Sequence, residues 1–366
     1  MEWKRYERPI KLKTNKIPYL IPGGGLIERF LGEDGAGVTE EPVSQMWIAS
    51  VVQCVLEGAR DSRSRIVEAD GEELCLAEEL SREPERYLGT EFWHRHGATP
   101  GFLLKLLNSR DRLLVQTHPD KEKAQKYFNS PFGKTESWYV MDTEPGTEAY
   151  IWAGFCPGVT KEQFRELILE QDREGILGCL HRFPVRKGDV IFIPAGLPHA
   201  LGSGSLIAEI QEPTDITLRA ERFRPDGSEL PEESLHSGIG YDGLLDCFAF
   251  DCAEEDTVRE RIFLQPDCRQ YPWGEEERLI GYETTACFAM NRILCRGKDG
   301  ECRRENKRFA VALVVGGSGW IEFGSKEQFR IPIEKGSELF LPYGLKAYRY
   351  VPEEELEILE CYPPLD

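Results

Sequence analysis

The sequence predicts a mainly β protein: two related β-barrels, jelly-roll-like in character, with short helical insertions. Three observations carry this reading: turn formers punctuating short apolar runs, β-branched and aromatic residues within those runs, and a degenerate internal repeat. The 366 residues include 35 Gly and 23 Pro, a frequency that suits sandwiches or barrels better than helix bundles. A chain of this length exceeds one comfortable core, so two domains are expected. Hydrophobic content of 40% with 10% aromatics fits a folded globular protein.

The repeat places the two barrels. Lys187, Gly188 and Asp189, with the apolar strand and Pro-x-Gly-Leu that follow, align with Lys335, Gly336 and Ser337 and their sequel at a constant offset. Glu209 and Ile210 fall on Glu357 and Ile358, as expected of one turn-strand-turn-strand frame used twice. The expected division is 1–245 for a catalytic N-terminal unit and 246–366 for a degenerate C-terminal one. Ala347 occupies the place of His199 in the second copy, which therefore lacks the candidate ligand.

Taken in order, the acidic stretch 68–86 reads as a solvated helix or loop, and Gly101 to Leu107 as a short helix carrying Lys105. Leu113, Leu114 and Val115 lead into a strand whose alternation puts Gln116 and His118 on one face and Thr117 on the other. Glu136 opens the β-prone run Ser137 to Val140. Thr160 and Gln163 form a capping box that starts a helical insert near 160–182, with Phe164, Leu167 and Ile168 at helical spacing. Val190 to Ile193 form the strand before His199. Gly202 to Ser205 predict a hairpin joining the His199 strand to the Glu209 strand, and Gly316 to Gly319 predict another. The segment 223–241 is loop-like and either covers the site or links the barrels.

A formal charge of −19 excludes nucleic acid as a partner, since phosphate backbones need clustered Lys and Arg. No run approaches the ~20 apolar residues of a membrane span, and the first thirty residues lack a signal-type apolar core. A cytoplasmic protein without membrane contact is expected, with a monomer as the default state. The 11 cysteines have irregular spacing and no C-x-x-C pair, so buried thiols are expected and thiolate metal sites are not.

Gln116, His118, Glu136 and His199 each lie on or beside a strand and together read as one divalent-metal site. Two imidazoles, a carboxylate and an amide oxygen suit zinc, with room left for water or substrate. With Glu136 as the sole anionic ligand the site stays net positive and Lewis acidic. His94 and His96 form a competing H-x-H pair, but Gly97 and Pro100 place them in a loop without a carboxylate-bearing strand. His181 and His236 sit in polar, loop-like contexts.

These residues resemble the type I mannose-6-phosphate isomerases, zinc enzymes on a cupin scaffold. The family's Q-x-H-P, K-x-E and P-x-G-x-x-H motifs fall on Gln116, His118, Glu136 and His199. Its downstream Glu and Arg, ten residues apart, fall on Glu209 and Arg219, with Asp215 matching between them. Lys105 and Lys134 fall on lysines that the family uses around the sugar phosphate. The resemblance implies two cupin-type barrels, one Zn²⁺ per chain and interconversion of mannose 6-phosphate and fructose 6-phosphate through a cis-enediol. It casts Glu209 and Arg219 as catalytic, and Lys105, Lys134 and Arg219 as substrate-binding.

Whether Glu209 faces the metal depends on strand register, because a one-residue slip turns it to the opposite face. Two departures bear on substrate. Leu114 stands where the family often has a phosphate-contacting Ser, and the N-terminal signature survives only as Gly23 to Gly25 and Ser44 to Trp47. They leave open an isomerase of a different or unphosphorylated sugar, or a non-catalytic metal-containing sugar-binding protein. Retention of Glu209 and Arg219 argues against the latter. An iron dioxygenase is a poor match, because Gln116 replaces a His of the iron triad.

Overall fold

Strand-forming runs dominate the computed structural model, which describes residues 4–33, 41–54, 61–68, 70–297, 302–324 and 329–365. Among these residues the strands form a seven-stranded, a five-stranded and a nine-stranded sheet, plus one isolated two-stranded pair, and no strand order closes into a ring. The architecture is mainly β, as expected.

The chain is layered. The seven-stranded sheet includes Gln45–Ile48, Leu103–Leu107, Ser205–Gln211, Glu136–Thr143 and Val190–Ile193. One of its faces, with Met46, Ile48, Leu104, Leu106, Ala208 and Ile210, packs on Met290, Val311, Leu313, Phe340 and Leu359 of the nine-stranded sheet in one apolar core. Its other face meets the five-stranded sheet through Trp138, Val140, Ile151, Ala153, Ile191, Leu201 and Ile207. Strand alternation thus gives this sheet two buried faces with different jobs.

The helical insert appears where expected. Lys161–Glu170 is capped by the Thr160 hydroxyl, which accepts from the Gln163 amide at 3.1 Å. Phe164 and Ile168 pack with Phe155, Phe248 and Leu218 on the outer face of the five-stranded sheet. Arg173–Gly178 continues the insert. Within 223–241, Glu233–His236 is a short helix and Gly240–Asp246 begins another, between stretches of loop.

Several sequence expectations are corrected. Lys105 lies on the strand Leu103–Leu107, not on a helix, because all five residues of Leu-Leu-Lys-Leu-Leu are buried between layers. The 68–86 stretch is helical in part, as one of its two readings had it, but not merely solvated: Leu76 and Leu80 of the helix Leu76–Arg82 enter the main core. The Gly202–Ser205 turn is not a hairpin. His199–Leu201 belongs to the five-stranded sheet and Ser205–Gln211 to the seven-stranded one, so the turn is a corner between facing sheets. Gly316 to Gly319 is no turn either, but a bulged stretch inside one strand, Ala310–Phe323. Gly317, at φ 75°, passes so close to its partner strand that a Cβ would stand 1.9 Å from the Glu355 carbonyl oxygen.

The repeat is visible in the backbone. Gly188 donates to the Val140 carbonyl and Gly336 to the Val314 carbonyl, each at 2.9 Å, and each turn then enters a strand, Val190–Ile193 or Glu338–Leu341. Short strands cross between the halves: Ile10–Lys11 pairs with Glu338–Leu341, and Phe263–Leu264 pairs with Val190–Ile193.

At one buried strand position the second copy carries a carboxylate where the first is apolar. Val190 of the first corresponds to Glu338 of the second, 2% exposed and with no well-directed hydrogen bond to either carboxylate oxygen. Burial pushes its carboxyl up to about 8, with Thr14 opposing weakly. Between the ordinary value of 4.5 and 8, the folded chain keeps a proton that the unfolded chain releases. Stability from this group is therefore intact below pH 4.5 and falls as pH rises, by about 1.4 kcal/mol per pH unit, levelling off above 8. Glu338→Gln should remove that slope and stabilise the protein by a few kcal/mol at pH 8. Urea unfolding at stepped pH checks this; parallel pH dependences for both proteins would contradict it.

Candidate metal centre and active site

Two cross-strand rows build the site. In the seven-stranded sheet, Trp138 lies opposite Glu209, Glu209 opposite Lys105, and Lys105 opposite Trp47. Directly opposed residues in a sheet share a face, so this register turns all four side chains toward the five-stranded sheet. In that sheet His199 lies opposite Gln116, and Gln116 opposite Arg219. The register question about Glu209 is thereby answered: its carboxylate and the metal-ligand candidates share the space between the two sheets.

His118, Glu136 and His199 bring one nitrogen or oxygen each within 4.8 Å of one another, and all three are buried. His118 Nε2 is 3.1 Å from Glu136 Oε1, and His199 Nε2 is 3.9 Å from Glu136 Oε2. The far ring nitrogens are tied back: His118 Nδ1 donates to the Ile216 carbonyl and His199 Nδ1 to the Leu197 carbonyl, each at 2.9 Å. That fixes the tautomer with the Nε2 lone pairs turned inward, the arrangement metal-ligating histidines use. The Gln116 amide nitrogen is 3.2 Å from His199 Nε2. Gln116 is only half-buried, the sole member of the four with solvent access.

Charge organises the rest. Burial, reinforced by the Lys134 ammonium, pushes the His118 imidazole down to about 3. Burial also lowers His199, so both rings are neutral, the form that binds metal. Burial alone would raise Glu136, but the Lys134 ammonium outweighs it and holds the carboxyl well below its usual range. Lys134 Nζ lies 2.6 Å from Glu136 Oε1 and 3.0 Å from His118 Nε2. A cation thus already sits against two of the inward lone pairs, while Oε1 receives no well-directed hydrogen bond. The donor set fits a divalent ion.

Glu209 is 3% exposed, and burial together with the Glu136 charge raises its carboxyl against the opposing pull of Lys105 and Lys134. Its Oε1 is 3.5 Å from Lys105 Nζ, which also lies 3.9 Å from Asp215 Oδ1 and 4.8 Å from the Trp47 ring centre. The Trp138 indole N–H is shared between Glu136 Oε2 at 3.2 Å and Glu209 Oε2 at 3.0 Å. Arg219 donates to the Ser234 carbonyl at 3.1 Å and contacts the Tyr19 hydroxyl at 3.3 Å.

All eight residues singled out from the sequence therefore lie in the layer between these two sheets or at its edge. Trp138 was missed, although the alternation that pairs Gln116 with His118 also puts it on the face of Glu136. Tyr19, on the N-terminal segment, gave no local signal. His94 and His96 are corrected from a loop to the helix Thr90–His96, where His96 stacks on Phe92 at 4.5 Å and His94 is exposed. Two positions apart on a helix, they do not face one another.

No family model matches the chain. It is 35% identical to the mannose-6-phosphate isomerase of Streptococcus mutans over 265 residues, 71% of this chain and 73% of that protein. The chain belongs to the mannose-6-phosphate isomerase family. A mannose-6-phosphate isomerase of Bacillus subtilis is 27% identical over 270 residues, covering 71% of this chain and 77% of the relative. The family's fold extends over nearly the whole chain. The crystal structure of the mannose 6-phosphate isomerase from Bacillus subtilis superimposes with a TM-score of 0.73 at 20% identity, over 97% of this chain and 99% of that one. A point mutant of phosphomannose isomerase from Salmonella typhimurium gives 0.72 at 15% identity over 98% of this chain and 100% of that one.

Removing either imidazole leaves at most one nitrogen ligand beside Glu136. His118→Ala and His199→Ala should each lower bound divalent metal from one per chain to near zero, read by elemental analysis of purified folded protein. Unchanged metal content in both variants would place the ion elsewhere.

Proposed function

We propose that the chain interconverts mannose 6-phosphate and fructose 6-phosphate, using one zinc ion held by Gln116, His118, Glu136 and His199. The observation that carries this reading is the shared Trp138 N–H, which sets the candidate base Glu209 beside the metal-ligand carboxylate Glu136. When bound, the ion supplies Lewis acidity to the sugar oxygens. Gln116 joins the set by presenting its amide oxygen, the end of the side chain that can ligate a cation.

Moving a proton between C1 and C2 of the open-chain sugar through a cis-enediol calls for one group that takes the proton from one carbon and returns it to the other. Glu209 suits that work, since a carboxylate raised toward neutrality is a better base and a better returning acid. Trp138 and Lys105 hold its two oxygens in place. Lys105, Lys134 and Arg219 offset Glu136, Glu209 and Asp215 one for one, so a divalent ion leaves the pocket with two positive charges. A phosphate dianion offsets those charges, which supports a phosphorylated substrate inside a chain of net charge −19. Arg219 is the candidate for stabilising enediolate or phosphate charge.

In this reading 1–245 is the catalytic cupin-type barrel and 246–366 its degenerate partner, supported by the corresponding Lys-Gly turns. The protein acts as a cytoplasmic monomer on a small sugar phosphate. One feature favours a second substrate: Leu114 is 4% exposed and offers no hydroxyl for phosphate, so free mannose is the comparison to run.

A coupled assay with mannose 6-phosphate tests the reading. Activity should disappear on chelation and return with zinc; full activity in metal-free protein would refute the mechanism, and faster turnover of free mannose would refute the substrate. Glu209→Gln should keep the metal and lose about 10²–10⁴ in kcat, whereas wild-type rates would remove Glu209 from proton transfer. Trp138→Phe keeps the ring and deletes the N–H. It should keep the metal and lower kcat about tenfold with little change in KM, roughly the 1–1.5 kcal/mol of one hydrogen bond; an effect on thermal stability alone would make Trp138 purely structural.

A further inference from the structure

The repeat has a consequence far from the metal centre. Its two lysines, Lys187 and Lys335, line one crevice of about 140 Å³ where the two halves meet. Arg29, on the helix Leu26–Leu31, joins them. Neither lysine makes an ion pair among the described residues, although charged side chains elsewhere pair extensively. Lys335 Nζ lies 5.2 Å from the centre of the Phe30 ring.

The crevice also holds a polar group without a hydrogen bond to the described residues. Tyr139 is 5% exposed and lines the crevice, yet its hydroxyl makes no hydrogen bond among the described residues. The hydroxyl is not sealed from solvent, so water or a ligand in the crevice can meet it. Two carboxylates line the same space. Glu357 is engaged by Arg292, and Asp142 accepts from the Thr143 amide at 3.0 Å. Arg29 and the two lysines thus line the crevice with two carboxylates, an excess of one positive charge. In a chain of net charge −19 such a local excess of positive charge is a departure from the surrounding field.

We propose that this crevice is a second anion site, distinct from the metal centre, which takes a phosphate group. Lys187 and Lys335 clamp it from corresponding turns of the two repeats, Arg29 covers it, and the Tyr139 hydroxyl donates to it from below. At about 30 Å³ per water, the volume equals roughly four or five waters, enough for one phosphate group. The floor of Leu26, Met141, Leu206 and Val315 leaves little else for a larger polar ligand to bind. Because the clamp draws one lysine from each half, occupancy ties the halves together. The inference does not depend on the isomerase reading, since none of these residues belongs to the metal centre.

Isothermal titration of the metal-loaded protein with inorganic phosphate, and separately with glycerol 3-phosphate, tests it against the double variant Lys187→Gln/Lys335→Gln. The variant should bind one phosphate fewer per chain and lose the phosphate-dependent rise in Tm. Any phosphate bound at the metal centre remains in both proteins, so kcat, KM and the competitive inhibition constant of phosphate should not move. The tighter of the two probes at the lost site identifies free phosphate or a phosphate ester as the ligand. Arg29→Gln alone should weaken the same site several-fold. Equal stoichiometry in wild type and double variant would overturn the proposal, as would loss of phosphate binding only together with loss of catalysis.

Discussion

The register of the seven-stranded sheet is the constraint on which the site depends. Trp138, Glu209, Lys105 and Trp47 come from four strands that are distant in sequence, and they face the candidate metal ligands only because each sits directly opposite the next. A slip of one residue in any strand would send its member of the row into the apolar core shared with the nine-stranded sheet. Leu104, Leu106, Ala208 and Ile210 occupy that opposite face. Burying them there holds the polar row in place, so the same alternation that stabilises the fold aims the chemistry.

The polar row itself is not a source of stability. Lys105, Lys134, Glu136, Glu209 and Asp215 are all at least nine-tenths buried, and taking charges from water costs several kcal/mol per ion before pairing offsets it. Their mutual contacts leave Glu136 Oε1 without a directed hydrogen bond and Glu209 raised toward neutrality. Such unresolved charge in an otherwise well-packed layer marks a candidate functional site. Glu338 shows the same electrostatic cost in the second half without any such cluster around it.

The candidate cluster of His118, Glu136 and His199 was legible because local β-propensity puts each on or beside a strand, with Gln116 two residues before His118. The mainly β architecture and the Thr160 helix cap were legible for similar, local reasons. What failed was tertiary. Glycine-rich stretches at 202–205 and 316–319 read as hairpins, since glycine marks hairpins, corners and bulges alike, and only the pairing partners distinguish them. Leu103 to Leu107 lacks apolar alternation because both faces of its sheet are covered, and a short all-buried run cannot be assigned by periodicity. Tyr19 reaches Arg219 across 200 positions of sequence, a contact no local pattern announces.

The central claim is that four side chains from separate strands and loops ligate one ion beside Glu209. Anomalous diffraction from a zinc-loaded crystal, recorded on both sides of the zinc edge, tests it most directly. The account predicts one strong peak per chain, about 2.0–2.2 Å from the nearest nitrogen and oxygen atoms of Gln116, His118, Glu136 and His199. A peak bound by other residues, or no peak there in zinc-loaded protein, would contradict it.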